Sequence, residues 1–323
     1  MPLRRPPAPG DLLGARVIDV GDIALLDDPG GRPRRLWNGD LLIGVCATRY
    51  ATHLYEGAAS LDTAVAHLLS SGGTIGTVIT SHADLANPTR LEILGEVHDA
   101  VNQPLRLADF ALPLHEGDSL PPTATETKAR VPTAVLVGTA TDSGKTTVGV
   151  GLVRGLVAGG RRVGVGKVTG GGAGRDRFSY LDAGADHVVD FVDYGMASTA
   201  GYPHRHLTAV MAAQQAYLTA HRAEVIVLEI ADGLLQPDTR ALVESLPGFA
   251  DAVVLAAADP LAAGAAVDLL TTLGVRPAAV SGVLTNSPLA CREAALPSCV
   301  PVIGTRHWQD AAAWKLLGPA FES

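Results

Sequence analysis

The segment VGTATDSGKTT, from Val137 to Thr147, sets the fold of the second half of the chain. It ends in the GK[ST] sequence of a phosphate-binding loop, but five residues separate Gly138 from Gly144, whereas the common spacing has four. The apolar run TAVLVG before it predicts a buried strand, and TTVGVGLVRGLVAGG after it predicts a helix. A phosphate loop requires this context, because the backbone N–H groups of the loop and the helix N-terminus both face the anion.

Each polar residue of the loop has a predicted role. Lys145 supplies a compact positive charge for phosphate, and the hydroxyl of Thr146 is a candidate ligand for Mg²⁺. Asp142 is unusual, because a carboxylate opposes a bound anion unless it points outward, lies beside Mg²⁺ or meets a cationic substrate group. We therefore count Lys145 and Asp142 as catalytic candidates. The predicted cofactor-binding residues of the loop are Gly138, Thr139, Ser143, Gly144, Lys145, Thr146 and Thr147.

The chain has 323 residues, enough for two domains that each bury a core. We predict a first domain over 1–114, a polar, proline-containing linker over 115–132 and a second domain over 133–323. The first domain shows strand patterns at 16–20, 22–28, 40–47 and 76–81, alternating with helix patterns at 60–73 and 88–101. This alternation predicts a small Rossmann-like α/β domain with a parallel sheet.

The second domain carries six Val/Leu/Ile-rich runs separated by helical patterns. Continuous apolar runs of this kind are typical of parallel strands that are covered on both faces. The last of the six is CVPVIGT, residues 299–305. We therefore predict an α/β fold with a doubly wound sheet, whose ligands bind at the carboxyl ends of the strands.

The five-residue loop spacing carries a resemblance to two families. GTATDSGKTT resembles the loop of dethiobiotin synthetase, over roughly 133–305, and that of a family that includes D-glutamate N-acetyltransferases. The second family pairs a Rossmann-like N-terminal domain with a P-loop C-terminal domain, and the chain resembles this plan over nearly its whole length. The first resemblance implies ATP, Mg²⁺ and activation of a substrate; the second implies acyl transfer from acetyl-CoA.

Further site candidates follow the other predicted strands. Lys167, in VGKVTGGG, is similar to a substrate- and phosphate-contacting lysine of dethiobiotin synthetase, although it could be a solvated strand end. Glu229 and Asp232 are metal candidates, because Mg²⁺ is held by one or two carboxylates plus phosphate oxygens, but either could simply cap the following turn. Asn286 offers a donor and an acceptor to a purine edge, by the same resemblance, or forms a turn before Ser-Pro.

Two aspartates suggest a substrate amine or a second metal contact. Asp182 and Asp186 are four residues apart, so on a helix they share one face and repel each other unless a cation lies between them. A plain acidic surface is the alternative. We include Asp182 among the catalytic candidates.

Composition limits the partners. A net charge of −8 argues against a broad nucleic-acid surface, which needs clustered Lys and Arg. The three cysteines form no metal-binding or disulfide pattern. The opening MPLRRPPAPGDLL has prolines where a signal peptide needs an apolar core, and no later window reaches the ~18 uninterrupted apolar residues of a membrane span. We expect a cytoplasmic homo-oligomer that acts on a small molecule, an amino acid or a carboxylate.

Three functions fit these patterns. The first is an ATP- and Mg²⁺-dependent ligase or phosphoryl transferase that activates a carboxylate- or amine-bearing metabolite. The second is a CoA-dependent N-acyltransferase whose loop holds the phosphates of acetyl-CoA. The third is a nucleotide-dependent regulatory binding module. The strand-end residues Lys167, Glu229 and Asn286 favour the first by a narrow margin.

Overall fold

The computed structural model describes residues 5–61, 65–114, 130–298 and 300–321; for residues 296–298 it describes the backbone only. The chain forms two compact units. The first comprises Met1–Pro113 together with Gly170–Arg175 and Phe191–Gly201, and the second comprises the remainder. The smaller unit thus takes two segments from the second half of the chain. Residues 115–129 of the predicted linker lie outside the described residues.

The larger unit contains a six-stranded parallel sheet in the order β12-β11-β13-β10-β14-β15. Every residue of five of these strands is buried, as their continuous Val, Leu and Ile content predicts for strands covered on both faces. This confirms the α/β fold class. The strands are β10 (Thr133–Gly138), β11 (Val163–Lys167), β12 (His187–Asp190), β13 (Val225–Glu229), β14 (Ala252–Ala256) and β15 (Ala279–Ser281).

Helices connect the consecutive strands of this sheet. The first helix begins directly after the glycine loop, and the fifth begins with an Asp259 N-cap whose side chain accepts a hydrogen bond from the Ala262 N–H at 2.9 Å. Among the described residues, no helix has the length and apolar character needed to cross a membrane. The helices are α1 (Lys145–Ala158), α2 (Gly174–Asp182), α3 (His204–Ala220), α4 (Pro237–Val243), α5 (Pro260–Thr272) and α6 (Pro288–Ser298).

In this unit one predicted strand is wrong and one actual strand was not predicted. The sixth predicted strand, CVPVIGT, makes only an isolated parallel bridge from Val302 to Val280, where Pro301 has no N–H to extend the pairing. The actual additional strand is β12, which pairs with β11 at the opposite edge of the sheet. Its four residues, HVVD, are too short to stand out by periodicity.

The core of this unit packs α1 against the C-terminal segment. Trp308 is fully buried, and its indole N–H donates to the Ser281 hydroxyl at 3.0 Å. Gly155 of α1 faces this segment so closely that a Cβ on it would overlap the carbonyl oxygen of Trp308. Gly151, one turn earlier, has more room, with the nearest atoms 3.2 Å from an added Cβ.

We expect Gly155→Ala to destabilise the protein by about 2–3 kcal/mol, because overpacking outweighs the ~1 kcal/mol that alanine gains over glycine in a helix. The matched control, Gly151→Ala, should stay within about 1 kcal/mol of the wild type. Urea unfolding of the two variants measures both free energies. Equal or higher stability of Gly155→Ala would contradict this packing of α1 on Trp308.

The smaller unit is built from β-strands. Its seven-stranded sheet has the order β4-β1-β9-β7-β8-β6-β5, with antiparallel pairings except between β4 and β8, and β2 and β3 form a separate hairpin. Within the described part of Met1–Pro113 there is no α-helix. The strands are β1 (Leu12–Asp19), β2 (Leu25–Asp27), β3 (Pro33–Arg35), β4 (Leu41–Cys46), β5 (Arg49–Tyr50), β6 (Tyr55–Ala58), β7 (Val65–Leu68), β8 (Thr74–Ser81) and β9 (Arg90–Glu96).

This unit corrects the Rossmann-like prediction for the N-terminal domain. The strands at 40–47 and 76–81 are present, but both predicted helices are wrong, because β7 and β9 occupy their places. In β9, Leu91 and Ile93 face the core while Arg90 and Leu94 are exposed, which is the two-residue period of a strand. Pairing of β9 with β1 and β7 satisfies its backbone groups. Without helices to cross over the sheet, neighbouring strands run mainly antiparallel.

Cys46 belongs to this core and is not a nucleophile. Its thiol is buried and donates to the Ala59 carbonyl at 3.1 Å. Burial raises the pKa of this thiol to about 12, so the reactive thiolate is scarce at neutral pH.

Candidate functional site

The glycine loop lies between β10 and α1, as the sequence predicts. Gly144 has φ of 93°, which favours glycine, and it directly precedes the first residue of α1. A Cβ on Gly138 would overlap the Ser143 hydroxyl and crowd the Lys145 stem, so the loop closes tightly only because this position is glycine. The Ser143 Oγ is buried and makes no hydrogen bond within the described chain.

Neighbouring strand ends hold the loop in place. The Thr139 N–H donates to the Ala256 carbonyl at 2.9 Å, and the Val283 N–H donates to the Ser143 carbonyl at 3.0 Å. On the other side, the Leu234 N–H donates to the Gly138 carbonyl at 3.0 Å. The carboxyl ends of the central strands therefore meet around the loop, where open parallel sheets bind their ligands.

Lys145 is buried within this loop, with 2% of its surface exposed. Its Nζ donates to the carbonyl oxygens of Ala140 and Thr141 at 2.8 and 3.2 Å. Burial lowers the pKa of Lys145, and the negative charges of Glu229 and Asp232 offset this only in part. The ammonium group is thus poorly solvated in the structure, and an anion at the loop would compensate its charge.

Thr146 and Glu229 form the pair expected of a magnesium site. The Thr146 hydroxyl lies 3.1 and 3.2 Å from the two carboxylate oxygens of Glu229. The Tyr180 hydroxyl, from α2, donates to the same carboxylate at 2.5 Å. Burial and the charge of Glu229 raise the pKa of Tyr180, so it remains a hydrogen-bond donor. Glu229 is 2% exposed and is therefore held in one orientation beside the loop.

Lys167 lies at the end of β11, next to Glu229 in the sheet register. It is buried rather than solvated, and its Nζ forms an ion pair with Asp176 of α2. Burial alone would lower the pKa of Lys167, but the charges of Asp176, Glu229 and Asp190 outweigh it and raise that pKa. Lys167 therefore stays protonated and contributes a fixed positive charge beside the carboxylate of Glu229.

Other predicted residues lie around the loop with different exposure. Asp142 and Thr147 are exposed, and the Thr139 hydroxyl accepts from the Ala258 N–H at 3.4 Å. Asp232 lies 3.4 Å from the Thr141 hydroxyl. Asn286 is exposed at the end of a short 3-10 helix, Val283–Asn286, which begins at the residue bonded to Ser143.

The predicted pair of Asp182 and Asp186 on one helix face is wrong. Helix α2 ends at Asp182, which is exposed, and the chain turns before Asp186. The Asp186 carboxylate accepts from the Val163 N–H at 2.9 Å, so it caps the start of β11. Gly184, with φ of 101°, makes the turn that separates the two residues.

The residues present fit Mg²⁺ with a phosphate ligand. Among the described residues, no group of three or more His, Cys, Asp or Glu side chains is placed to hold a metal ion by itself. Mg²⁺ does not require one, because it is usually bound by one or two carboxylates, water and substrate phosphates. Thr146 and Glu229 supply the protein ligands, and the buried Ser143 Oγ is a polar atom that a bound phosphate would satisfy.

Sequence reasoning missed Tyr180 and Asp176. Both come from α2, where RDRFSYLD shows no motif and only a weak apolar pattern. The one available signal is their position after the Lys167 strand end and the glycine-rich segment. Glu229 and Lys167 were candidates from the sequence, but their contacts with Tyr180 and Asp176 became visible only in the structure.

Comparisons with known proteins give only distant structural matches. No family description matches the sequence, and no curated protein matches it. Among solved structures, the signal recognition particle receptor FtsY of Elizabethkingia anophelis, in complex with GDP, is 17% identical with a TM-score of 0.39. The match covers 63% of this chain and 66% of that one, so this chain spans just under two thirds of its length.

Two further FtsY structures match similarly. Chloroplast FtsY from Physcomitrella patens is 16% identical over 66% of this chain and 70% of that chain, with a TM-score of 0.40. FtsY from Thermotoga maritima is 16% identical over 61% and 74%, with a TM-score of 0.36. Such distant likenesses identify no function. The parallel sheet, the glycine loop and α1 themselves give the larger unit a P-loop NTPase fold.

Proposed function

We propose that the chain binds a nucleoside triphosphate with Mg²⁺ at the glycine loop, and that ATP is its nucleotide. The triphosphate activates a carboxylate- or amine-bearing small molecule, in a ligase or phosphoryl-transfer reaction similar to that of dethiobiotin synthetase. The observation that carries this proposal is the contact of the Thr146 hydroxyl with both oxygens of Glu229. A hydroxyl from the loop and a carboxylate from a neighbouring strand are the protein ligands of Mg²⁺ in P-loop NTPases.

Lys145 and the loop backbone bind the phosphates in this proposal. The Lys145 ammonium leaves the Ala140 and Thr141 carbonyls and contacts the terminal phosphates, while loop N–H groups and the N-terminus of α1 face the anion. Bound Mg²⁺, held by Thr146 and Glu229, supplies neutralisation of phosphate charge. In this proposal Lys167 keeps a positive charge near Glu229, and Asn286 contacts the base.

The proposed reaction uses ATP, a carboxylate and an amine in two steps. A substrate carboxylate oxygen forms a bond to the γ-phosphorus, and the bond from that phosphorus to the β–γ bridging oxygen breaks, releasing ADP. An amine then displaces inorganic phosphate from the acyl phosphate and loses a proton. Catalysis by the protein is mainly positioning and charge stabilisation. Asp142, exposed on the loop, is suited to contact a cationic group of the substrate.

Two other functions make different demands on the same residues. An N-acyltransferase would use the loop for the phosphates of acetyl-CoA and would need no metal-binding carboxylate beside Thr146. A regulatory module would bind nucleotide and Mg²⁺ but would phosphorylate no small molecule. The Thr146–Glu229 pair favours a nucleotide over acetyl-CoA.

We therefore expect ATP-Mg²⁺ to raise the thermal unfolding midpoint of the protein and acetyl-CoA to leave that midpoint unchanged. GTP-Mg²⁺ is measured for comparison. Hydroxylamine, added with ATP-Mg²⁺ and a panel of amino and carboxylic acids, should trap the acyl phosphate as a hydroxamate. Stabilisation by acetyl-CoA alone would contradict nucleotide binding. Nucleotide binding with no hydroxamate or phosphorylated product from any acid or amine would favour the regulatory module.

A further inference from the structure

Strand β4 of the smaller unit has one edge that is paired over only part of its length. Along the first edge, residues 41–45 pair with β1. Along the second edge, the last two residues of β4 pair with β8, which begins at Thr74. Just before Thr74 the chain turns, and the Gly73 N–H donates to the Ser70 carbonyl at 3.2 Å. Within the described residues, the second edge of 41–43 therefore has no neighbouring strand.

The backbone of β4 directs hydrogen-bonding groups to this second edge. In an antiparallel pair, successive residues direct their N–H and C=O groups alternately to the two edges of a strand. The Val45 N–H donates to the Gly73 carbonyl at 2.9 Å, on the side of β8, so Leu41 and Ile43 direct their groups to the same side. Neither residue makes a hydrogen bond along that edge with any part of the chain that the structure describes. The edge therefore offers two donors and two acceptors.

The side chains of the same two residues form an apolar surface beside these groups. Leu41 is 70% exposed and Ile43 is 61% exposed, whereas Leu42, between them, is buried in the core. None of the three carries a charge. Edge strands of natural proteins are usually protected from pairing by charged side chains, prolines or bulges. An unprotected edge with apolar side chains is instead suited to accept another strand.

We propose that this edge pairs with the same edge of a second copy of the chain. The two β4 strands run antiparallel about a two-fold axis that passes between the two copies of Leu42. This register places Leu41 opposite Ile43 of the second copy, and Ile43 opposite Leu41 of the second copy. Since both residues direct their N–H and C=O groups to this edge, each opposed pair makes two hydrogen bonds. The pairing specifies how the homo-oligomer expected from the sequence assembles.

A second copy fits this edge because the segment is complementary to itself. Every donor and acceptor of residues 41 and 43 is satisfied by the same residues of the other copy, as a two-fold interface requires. The opposed leucine and isoleucine side chains also cover each other, and such cross-strand apolar pairs stabilise sheets. The ladder ends where the geometry requires it. On one side Val45 is bonded to Gly73, and on the other the chain turns, with the Trp37 N–H donating to the Asp40 carboxylate at 2.9 Å.

The extent of this contact predicts a weak dimer. Four hydrogen bonds and four apolar side chains cover less than the ~800 Å² per partner of a standard stable interface. We therefore expect a dissociation constant on the order of 10–100 µM. The dimer is independent of what the glycine loop binds, since all of its residues belong to the smaller unit.

Sedimentation velocity of the full chain tests this proposal, without nucleotide or Mg²⁺, between about 5 and 500 µM. We expect the wild type to change from monomer to dimer over this range. Ile43→Lys should weaken dimerisation at least ~10-fold, because a two-fold interface loses the apolar pair twice. The matched control is Ile79→Lys. Ile79 is 59% exposed on β8, beyond the residues that pair with β4, so this variant should dimerise within about twofold of the wild type.

Amide hydrogen exchange followed by mass spectrometry identifies the edge itself. Residues 41–43 should exchange more slowly at the high protein concentration than at the low one, because dimerisation gives the Leu41 and Ile43 N–H groups carbonyl partners. If Ile43→Lys fails to fold, Ile43→Thr and its control Ile79→Thr decide, since threonine suits a strand. The proposal is overturned if the wild type stays monomeric at the highest concentration. It is also overturned if folded Ile43→Lys dimerises like the wild type, or if dimerisation leaves exchange at 41–43 unchanged.

Discussion

Replacing Lys145 with methionine should weaken nucleotide binding at least ~100-fold, about 2.8 kcal/mol, while raising the thermal midpoint of the ligand-free protein. Both effects follow from the burial of the Lys145 side chain. Lys145 is 2% exposed and its lowered pKa shows that the folded protein disfavours its charge. Methionine fills similar space without a charge, whereas the phosphates lose their principal cationic partner.

The pH dependence of this stabilisation has a definite sign. A lysine whose pKa is lower in the folded than in the unfolded state destabilises the fold most at pH below both values. The penalty decreases above the folded pKa and vanishes above 10.5, where the unfolded side chain is also neutral. The advantage of Lys145→Met in urea unfolding should therefore be greatest at the lowest pH and diminish as the pH rises towards 10.5. A ligand-free variant less stable than the wild type at pH 7 would contradict this description of Lys145.

Glu229→Gln should remove most of the Mg²⁺-dependent part of nucleotide affinity, a loss of at least ~10-fold or 1.4 kcal/mol. Glutamine keeps the size of Glu229 and an oxygen acceptor for the Thr146 and Tyr180 hydroxyls, but it lacks the charge that Mg²⁺ requires. Nucleotide binding measured in EDTA should change by less than about threefold. Calorimetric titration with and without Mg²⁺ separates the two contributions.

Asp232→Asn provides the matched control for this experiment. Asp232 also contributes negative charge near Lys145, but its carboxylate contacts the Thr141 hydroxyl rather than Thr146. We expect its substitution to leave the Mg²⁺ dependence within about threefold of the wild type. If Asp232→Asn abolishes the Mg²⁺ dependence and Glu229→Gln does not, the metal ligand is Asp232.

The fold of the larger unit was predictable because its signals are local. The strand before Gly138, the GKTT sequence and the helix after it lie in consecutive residues. Buried parallel strands can also be recognised in a sequence by their long apolar runs. The exceptions, β12 and the region of Val302, are short segments whose pairing depends on residues far away in the sequence.

The smaller unit could not be predicted in the same way. Segments such as VAHLL and RLEILGE satisfy both a helical and a two-residue period over so few residues. Their conformation is decided by the neighbouring strands in the sheet. The first segment, β7, pairs with β8 and β9, and the second, β9, pairs with β1 and β7. The contribution of Gly170–Arg175 to this unit is likewise a long-range effect that no local pattern encodes.

The residues of the candidate site also differ in whether a local sequence pattern predicts them. Lys145, Thr146 and Glu229 were identifiable because a loop motif and a strand end place them near one another. Tyr180, which orients Glu229, and Asp176, which pairs with Lys167, have no motif and required the structure. The pairing of Asp182 with Asp186 on one helix face was wrong because the helix ends at Asp182.

Electron paramagnetic resonance with Mn²⁺ in place of Mg²⁺ tests directly whether a metal ion and a nucleotide bind together at Lys145, Thr146 and Glu229. With ATP or GTP present, we expect one tightly bound Mn²⁺ per chain, showing hyperfine coupling to phosphate ³¹P, and loss of this species in Glu229→Gln. Mn²⁺ bound equally well without nucleotide, or without ³¹P coupling, would contradict a nucleotide–metal site formed by Lys145, Thr146 and Glu229.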